Sequence, residues 1–348
     1  MDRAAGASPG VWGAAWKRLR ADRVGMTALA VVLAFVVLVV AAGLGGVAAD
    51  WRAEVGVPDA PPTLLGPRAP TADPLVAGPA GPAADLRDID PLAPRYAEWD
   101  AAAQRLRATE APRAQTLPLG ADRQGRDVLA KAIQGARVSI TVGVLAALAA
   151  TLLGTLLGAL AGFYGGRLGD GLEWLYNVFT AIPNILLIFT FAAVLSRADA
   201  LLPKGVWSIV VILALTSWTG IYRLVRAEFL KHAVRDYVRA AEAIGASASA
   251  RIFRHILPNV SHVVLVQLSI HVVAAIKSEV ILSYLGLGVA VDQVSWGTML
   301  AEAQGELILG HWWQLAAATA FMAVFVTAFS LFTDALRDAL DPKLRGLE

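Results

Sequence analysis

The sequence predicts an all-α membrane protein with six transmembrane helices and a large extracytoplasmic loop. Three observations carry this. Hydrophobic residues make up 57% of the 348 and charged residues only 17%, against about 25% charged in ordinary soluble domains. Residues 24–49 contain no charge, and ~20 apolar residues of helix are enough to cross a hydrocarbon core ~30 Å thick. Further apolar runs at 138–163, 172–195, 206–222, 260–283 and 314–333 bring the spans to six. So much apolar sequence excludes a disordered chain. The absence of cysteine excludes disulfides, thiol nucleophiles and cysteine-based metal centres. A net charge of +2 gives no basis for nucleic-acid binding.

The elements follow in order. Residues 1–23 form a basic arm with Arg3, Lys17, Arg18, Arg20 and Arg23. The first span, 24–49, is longer than the ~7–15-residue core of a signal peptide and reads as an uncleaved anchor. The loop 50–136 holds 12 of the 17 prolines, which rules out long helices and central strands there; one short helix fits around 95–109. The second span carries Gly154, Gly158 and Gly162 at four-residue spacing, a stripe against which a neighbouring backbone can close in. Pro183 falls inside the third span and predicts a kink. Residues 137–335 make up the membrane core, and 336–348 a tail. The tandem Trp312 and Trp313 ahead of the sixth span read as interfacial anchors.

Lysine and arginine set the orientation. The arm, Arg167, the loop 223–258 and the tail together carry sixteen basic residues. With six spans all four segments lie on one face, which is therefore cytoplasmic, and both termini are inside. The long loop, with Arg137 included, has 11 basic and 12 acidic residues, but long loops cross largely regardless of charge.

The cytoplasmic loop 223–258 is too polar to span and too patterned to be a linker. Tyr237, Ala240, Ala241 and Ile244 recur at i, i+3, i+4 and i+7, predicting a helix with one narrow apolar face. Asp236, Arg239 and Glu242 lie opposite. Gly245 supplies a left-handed turn, Ser247 or Ser249 a cap for a second helix, and Pro258 the hand-over to the fifth span. The predicted object is a stiff helix–turn–helix knob.

Within the fifth span stand Lys277 and Glu279. A charge near a helix centre costs ~2.5–3.5 kcal/mol on insertion scales, so such residues face a cavity or a partner. Two residues apart, they do not face each other. With Ser283 they are the candidate lining of a translocation path. No G-x-x-x-x-G-K-[ST] loop occurs, so the chain has no phosphate cradle of that type, and the five histidines show no metal-binding spacing. An ion-coupled transporter or channel would call for carboxylates on several spans and internal repeats; essentially one such carboxylate, Glu279, and no repeat are found. An intramembrane enzyme would need a paired nucleophile and base, and the nearest pair, Ser269 and His271, point apart.

Tyr237-Val238-Arg239-Ala240-Ala241-Glu242-Ala243-Ile244-Gly245, followed by Leu257-Pro258, resembles the "EAA" loop of bacterial ABC importer permeases. Arg239 replaces the acidic residue that opens the motif, as in the peptide-importer branch. Gly120-Ala121-Asp122-Arg123-Gln124-Gly125-Arg126-Asp127, and Glu279 with Leu282-Ser283-Tyr284-Leu285-Gly286-Leu287-Gly288 and Ser295-Trp296-Gly297, resemble further elements of that branch. So does Asp334 to Pro342. Lys277 departs from it, standing where a small or apolar residue is usual, and the proline-rich stretch 55–116 is unmatched. The resemblance implies a type I ABC importer permease fold of the dipeptide/oligopeptide (or nickel) branch, in the bacterial cytoplasmic (inner) membrane. It further implies a homologous second permease, two cytoplasmic ATPase subunits that hold the ATP and Mg2+, and an extracytoplasmic solute-binding protein. Tyr237, Ala240, Ala241, Glu242, Gly245, Leu257 and Pro258 would form the ATPase-coupling site. This chain itself would be neither an enzyme nor a cofactor carrier.

Overall fold

A computed structural model describes residues 11–67, 90, 92, 95–109, 112–197, 205–290 and 292–340. Residues 68–89, 91, 93, 94, 110 and 111 of the proline-rich stretch, and the tail with Asp341, Pro342, Lys343 and Arg345, lie outside the described residues. The chain divides into two compact units, residues 51–129 and the remainder.

The larger unit is helical. It opens with α1 (Val11–Ala21) and α2 (Arg23–Gly43). The smaller unit contributes α3 (Tyr96–Thr109). There follow α4 (Val128–Tyr164), α5 (Gly166–Thr180), α6 (Asn184–Arg197), α7 (Val206–Ser217) and α8 (Thr219–Ala233). The last five are α9 (Asp236–Ala243), α10 (Ala248–Ala250), α11 (Leu257–Tyr284), α12 (Trp296–Ile308) and α13 (Trp313–Leu340). A π-helical stretch, Arg251–Ile256, joins α10 to α11, so that Ala248–Tyr284 runs on as one helix.

Among the described residues four helices are long and apolar enough to cross a membrane, and the number reaches six if each of two bent pairs counts as one span. The bends have local causes. Pro183 does not merely kink the third span: α5 ends at Thr180 and α6 begins at Asn184, 91° away, because the residue before a proline is driven out of the helical region. The preceding α5 is amphipathic, with Arg167, Asp170 and Glu173 on it. The α7–α8 bend is 45°; there the Thr216 hydroxyl donates to the Ile212 carbonyl at 2.8 Å, a back-bond that bends helices. The first span stops at Gly43, earlier than the apolar run suggests, because Gly45 turns left-handed at φ +75°.

Close backbone approach holds the bundle together. Between membrane helices there is little hydrophobic driving force, so small residues and tight packing take over. A Cβ placed on Gly154, Gly158 or Gly162 would sit 2.6–2.7 Å from the carbonyl oxygens of Trp218, Tyr222 and Arg226. The glycine stripe of α4 therefore lies directly on the backbone of α7–α8. From the other side, Tyr176 of α5 stacks on Tyr222 at 5.4 Å between ring centroids, and Glu173 accepts from the Tyr222 hydroxyl at 3.2 Å. The first span packs on the last: Gly25 faces Ala335 so closely that an added Cβ would come within 2.5 Å of it. Phe35 packs its ring on Phe325 at 5.2 Å. Helix α1 lays Ala15 and Leu19 against Ala335, Ala339 and Leu340.

In the smaller unit, isolated bridges join Glu54 to Arg126, Gly56 to Ala114, Pro62 to Leu117 and Ala121 to Asp127. Buried Asp122 organises this unit, accepting from the Gln124 and Arg126 amides at 2.9 Å and from Arg126 Nε at 2.6 Å. Gly125 has φ +80° and leaves no room for a Cβ against the Gly56 carbonyl. Asp127 caps α4 through the Leu129 amide at 2.8 Å. These contacts account for the Gly120–Asp127 element as a folded turn.

Candidate functional site

The knob is built from α8, α9 and the start of the long 248–284 helix. Asp236 sits in the first turn of α9, where a carboxylate complements the helix dipole. At the other end the Gly245 amide donates to the Glu242 carbonyl and the Ala246 amide to the Ala241 carbonyl, both at 2.9 Å. This bond pair is a Schellman turn, and it sets Gly245 at φ +90°. No atom lies within 4 Å of where a Gly245 Cβ would be. The requirement is therefore backbone handedness, not lack of space. Of the two serines proposed as caps it is Ser247 that serves, accepting from the Ala250 amide at 3.2 Å.

The buried face of α9 differs from the one its apolar spacing suggests. Val238 and Ala241 are buried, whereas Tyr237, Ala240 and Ile244 are exposed, Ile244 at 86%. Val238 is the side chain that reaches the cluster of Phe229, Ile252, Ile256 and Val260, and this turns the rest of the predicted face outward. The result is an apolar ridge on the tip of a knob whose base is locked. Partial desolvation of its ring end pushes the Tyr237 hydroxyl up from its ordinary range, and it lies 2.8 Å from His232 Nδ1. Glu242 pairs with Arg251 at 2.6 Å across the turn, and the Arg251 guanidinium lies over the Phe163 ring at 5.2 Å. An exposed pair contributes only ~0.2–1 kcal/mol, so this one aligns the two limbs more than it stabilises them. Leu257 packs onto the same cluster, and Pro258 is exposed in the first turn of α11. Lacking an N–H, Pro258 breaks the regular bond ladder next to the wider π turn, without interrupting the helix.

The fifth span sends its two charged residues in opposite directions. Glu279 and Ser283 are buried, the first completely. They do not face a path in this conformation; they form a junction. The Ser283 hydroxyl donates to Glu279 Oε1 at 2.6 Å, and the hydroxyls of Ser139 and Ser295 neighbour the same carboxylate. Those two serines each accept an amide, from Trp296 and Thr298 respectively, at 3.2 Å. One carboxylate thus meets α4, α11 and the cap of α12. The glycines around it permit the approach: a Cβ on Gly297 would lie 2.5 Å from the Val280 carbonyl. Lys277 alone of the three candidates is exposed.

A second buried junction gave no sequence signal. Lys131 of α4 is fully buried, 2.5 Å from Glu302 of α12 and 3.0 Å from the Gln314 side-chain oxygen of α13. Trp296, also fully buried, donates its indole N–H to the Ala132 carbonyl at 3.1 Å. Trp313, read as an interfacial anchor, is buried instead and stacks on His311 at 5.0 Å, while Trp312 stays exposed. Among the described residues no group of three or more His, Asp or Glu is placed to hold a metal ion.

Residues 154–346 match the family described as binding-protein-dependent transport system inner membrane component. The chain is 35% identical over 253 residues to the oligopeptide transport system permease protein OppC of Bacillus subtilis, covering 73% of this chain and 80% of that one. It is 34% identical over 226 residues to the dipeptide transport system permease protein DppC of the same organism, covering 65% and 68%. A chain of the methionine ABC transporter MetNI, solved in inward-facing conformations, is 16% identical with a TM-score of 0.49, over 61% of this chain and 96% of that one. The family match over residues 154–346 and the 35% identity to the oligopeptide permease, on a chain of long apolar helices, show that the chain belongs to the inner-membrane permease family of binding-protein-dependent ABC transporters.

Proposed function

We propose that this permease takes up di- or oligopeptides, or related small solutes, delivered by an extracytoplasmic solute-binding protein. The names of its relatives, oligopeptide and dipeptide permeases, support that cargo class. In this reading it pairs with a homologous second permease in the bacterial cytoplasmic membrane, with both termini inside. Two ABC ATPases bind beneath, and ATP and Mg2+ reside in them, not in this chain.

The observation that carries the reading is the knob. Its tip offers exposed Tyr237, Ala240 and Ile244, flanked by Glu242, to a groove on an ATPase. Its base is fixed by Ala241, Val238 and Leu257, and its second limb runs through Pro258 into the fifth span without a break. Closure of the ATPase pair on ATP would displace the tip, and the 37-residue helix 248–284, ~55 Å at ~1.5 Å per residue, would carry the displacement across the membrane. Lys277 and the exposed face around it would line the path that opens. The native chain has no cysteine, so Ala243→Cys gives a unique thiol. With a cysteine in the ATPase groove it should form a disulfide in an actively transporting complex; an active complex that yields no such crosslink refutes the contact.

A further inference from the structure

One face of the fifth span is left open from Ile270 to Tyr284. Ile270, Ala274, Lys277, Ile281 and Tyr284 are exposed, at intervals of four, three, four and three residues, which places them on one side of the helix. On the same side, one to two turns toward the knob, His262, Val263, Val266 and Gln267 form one wall of a cavity of about 350 Å3. Leu224 of α8 and Arg337 and Leu340 of α13 close it. An apolar cavity with a few convergent polar groups is the usual form of a small-molecule site.

The sign of the charge along this face is uniform. Its chargeable groups are Lys277, His262 and Arg337, and no carboxylate lines the cavity. Asp334 and Asp338 sit beside Arg337 on α13 but outside the lining. Glu279, the span's one carboxylate, is buried on the opposite side of the helix. Among the described residues, the side chains of Lys277, His262, Gln267 and Arg337 have no ion-pair or hydrogen-bond partner. A cleft with low-dielectric walls and one sign of charge concentrates ligands of the other sign, and the guanidinium fork matches a carboxylate with two hydrogen bonds.

We infer that this face is a cargo conduit selective for carboxylates, in which Lys277 draws an anionic group inward and Arg337 and His262 receive it in the cavity below. The inference rests on the permease reading above and adds the chemistry of the cargo: peptides with an acidic side chain pass faster than neutral or basic ones of the same size.

The test uses the full transporter, this permease with its partner permease, ATPases and binding protein, in proteoliposomes. Uptake of Ala-Glu, Ala-Ala and Ala-Lys is measured at saturating loaded binding protein, whose affinity for each peptide is determined separately. The expected wild-type order is Ala-Glu, then Ala-Ala, then Ala-Lys. Lys277→Glu should reverse the ratio of Ala-Glu to Ala-Lys by ~10-fold or more, as inverting one close charge does at charged interfaces, and Lys277→Gln should bring the three rates together. An unchanged order in both variants overturns the inference. So does loss of the second permease from the purified Lys277→Glu complex with the order intact in Lys277→Gln, which would assign the cation to a subunit contact. An order that tracks phosphatidylglycerol content equally in wild type and variants would assign it to lipid headgroups and likewise overturns it. A wild-type complex that moves none of the three peptides removes dipeptides from the cargo class, and this inference with them.

Discussion

Replacing Gly245 separates two explanations of the knob's turn. If the position required a small residue, uptake would fall with side-chain volume. The structure instead shows open space around it and φ +90°. A residue with a Cβ loses ~1–2 kcal/mol in the left-handed region, whereas asparagine tolerates it several-fold better than most and a β-branched residue is least tolerated. A penalty of ~1–2 kcal/mol lowers the population of the native turn relative to alternatives by a factor of ~5–30. The Schellman bonds from Gly245 and Ala246 would be lost first, and with them the alignment of Glu242 and Arg251. Uptake in cells, normalised to the amount of permease in the membrane, should therefore rank Gly245, Gly245→Asn, Gly245→Ala, Gly245→Val, with the valine variant close to inactive though still inserted. If Gly245→Ala transports better than Gly245→Asn, the backbone argument is wrong and size is what matters. Equal uptake by all four would remove the turn from the coupling mechanism.

Two further substitutions probe the buried junctions. Glu279→Gln retains an oxygen for the Ser283 hydroxyl and should melt close to wild type in detergent; Glu279→Ala orphans that buried hydroxyl at ~1–3 kcal/mol and should melt clearly lower. Equal melting of the two variants would show that the junction is not held by that carboxylate. Glu302→Ala takes the carboxylate from buried Lys131, a loss of ~3–5 kcal/mol for breaking a buried pair that partial exposure of Glu302 reduces, and the double variant Lys131→Met with Glu302→Leu should recover most of it. A double variant no more stable than Glu302→Ala would rule out charge burial as the cause.

Much of the architecture was readable because the bilayer imposes it. Length and apolarity located the spans, and the four-residue glycine spacing revealed the helix face that meets the α7–α8 backbone. Gly245 and Ser247 were legible because turns and caps demand particular backbone or side-chain chemistry within a few residues. Lys131 was not, because its partners are 171 and 183 residues away and a lone lysine ahead of an apolar run looks like a solvated flank. The face of α9 was misread for another reason. Apolar periodicity marks a stripe, but Val238 shows that a neighbouring cluster decides which stripe is buried. Glu279 and Lys277 illustrate the same point: spacing placed them on different sides of the helix, and only the packing of Ser139 and Ser295 identified which side is closed. Pro183 was read as a kink, and the 91° break became visible only with α5 and α6 placed.

The central claim is that the knob and the fifth span move as one stiff lever. Spin labels on cysteines at Ile244, on the exposed tip, and Ile281, near the far end of α11, measure it by pulsed dipolar spectroscopy, with no native thiol to interfere. Across the transport cycle of the assembled complex, nucleotide-free and ATP-bound, the separation should stay narrow and constant, while the distance from Ile244 to a label on the second permease changes. A shift in the Ile244–Ile281 separation approaching one helical turn, ~5.4 Å, would mean that the joint at Arg251–Ile256 gives way and that force does not travel along this helix.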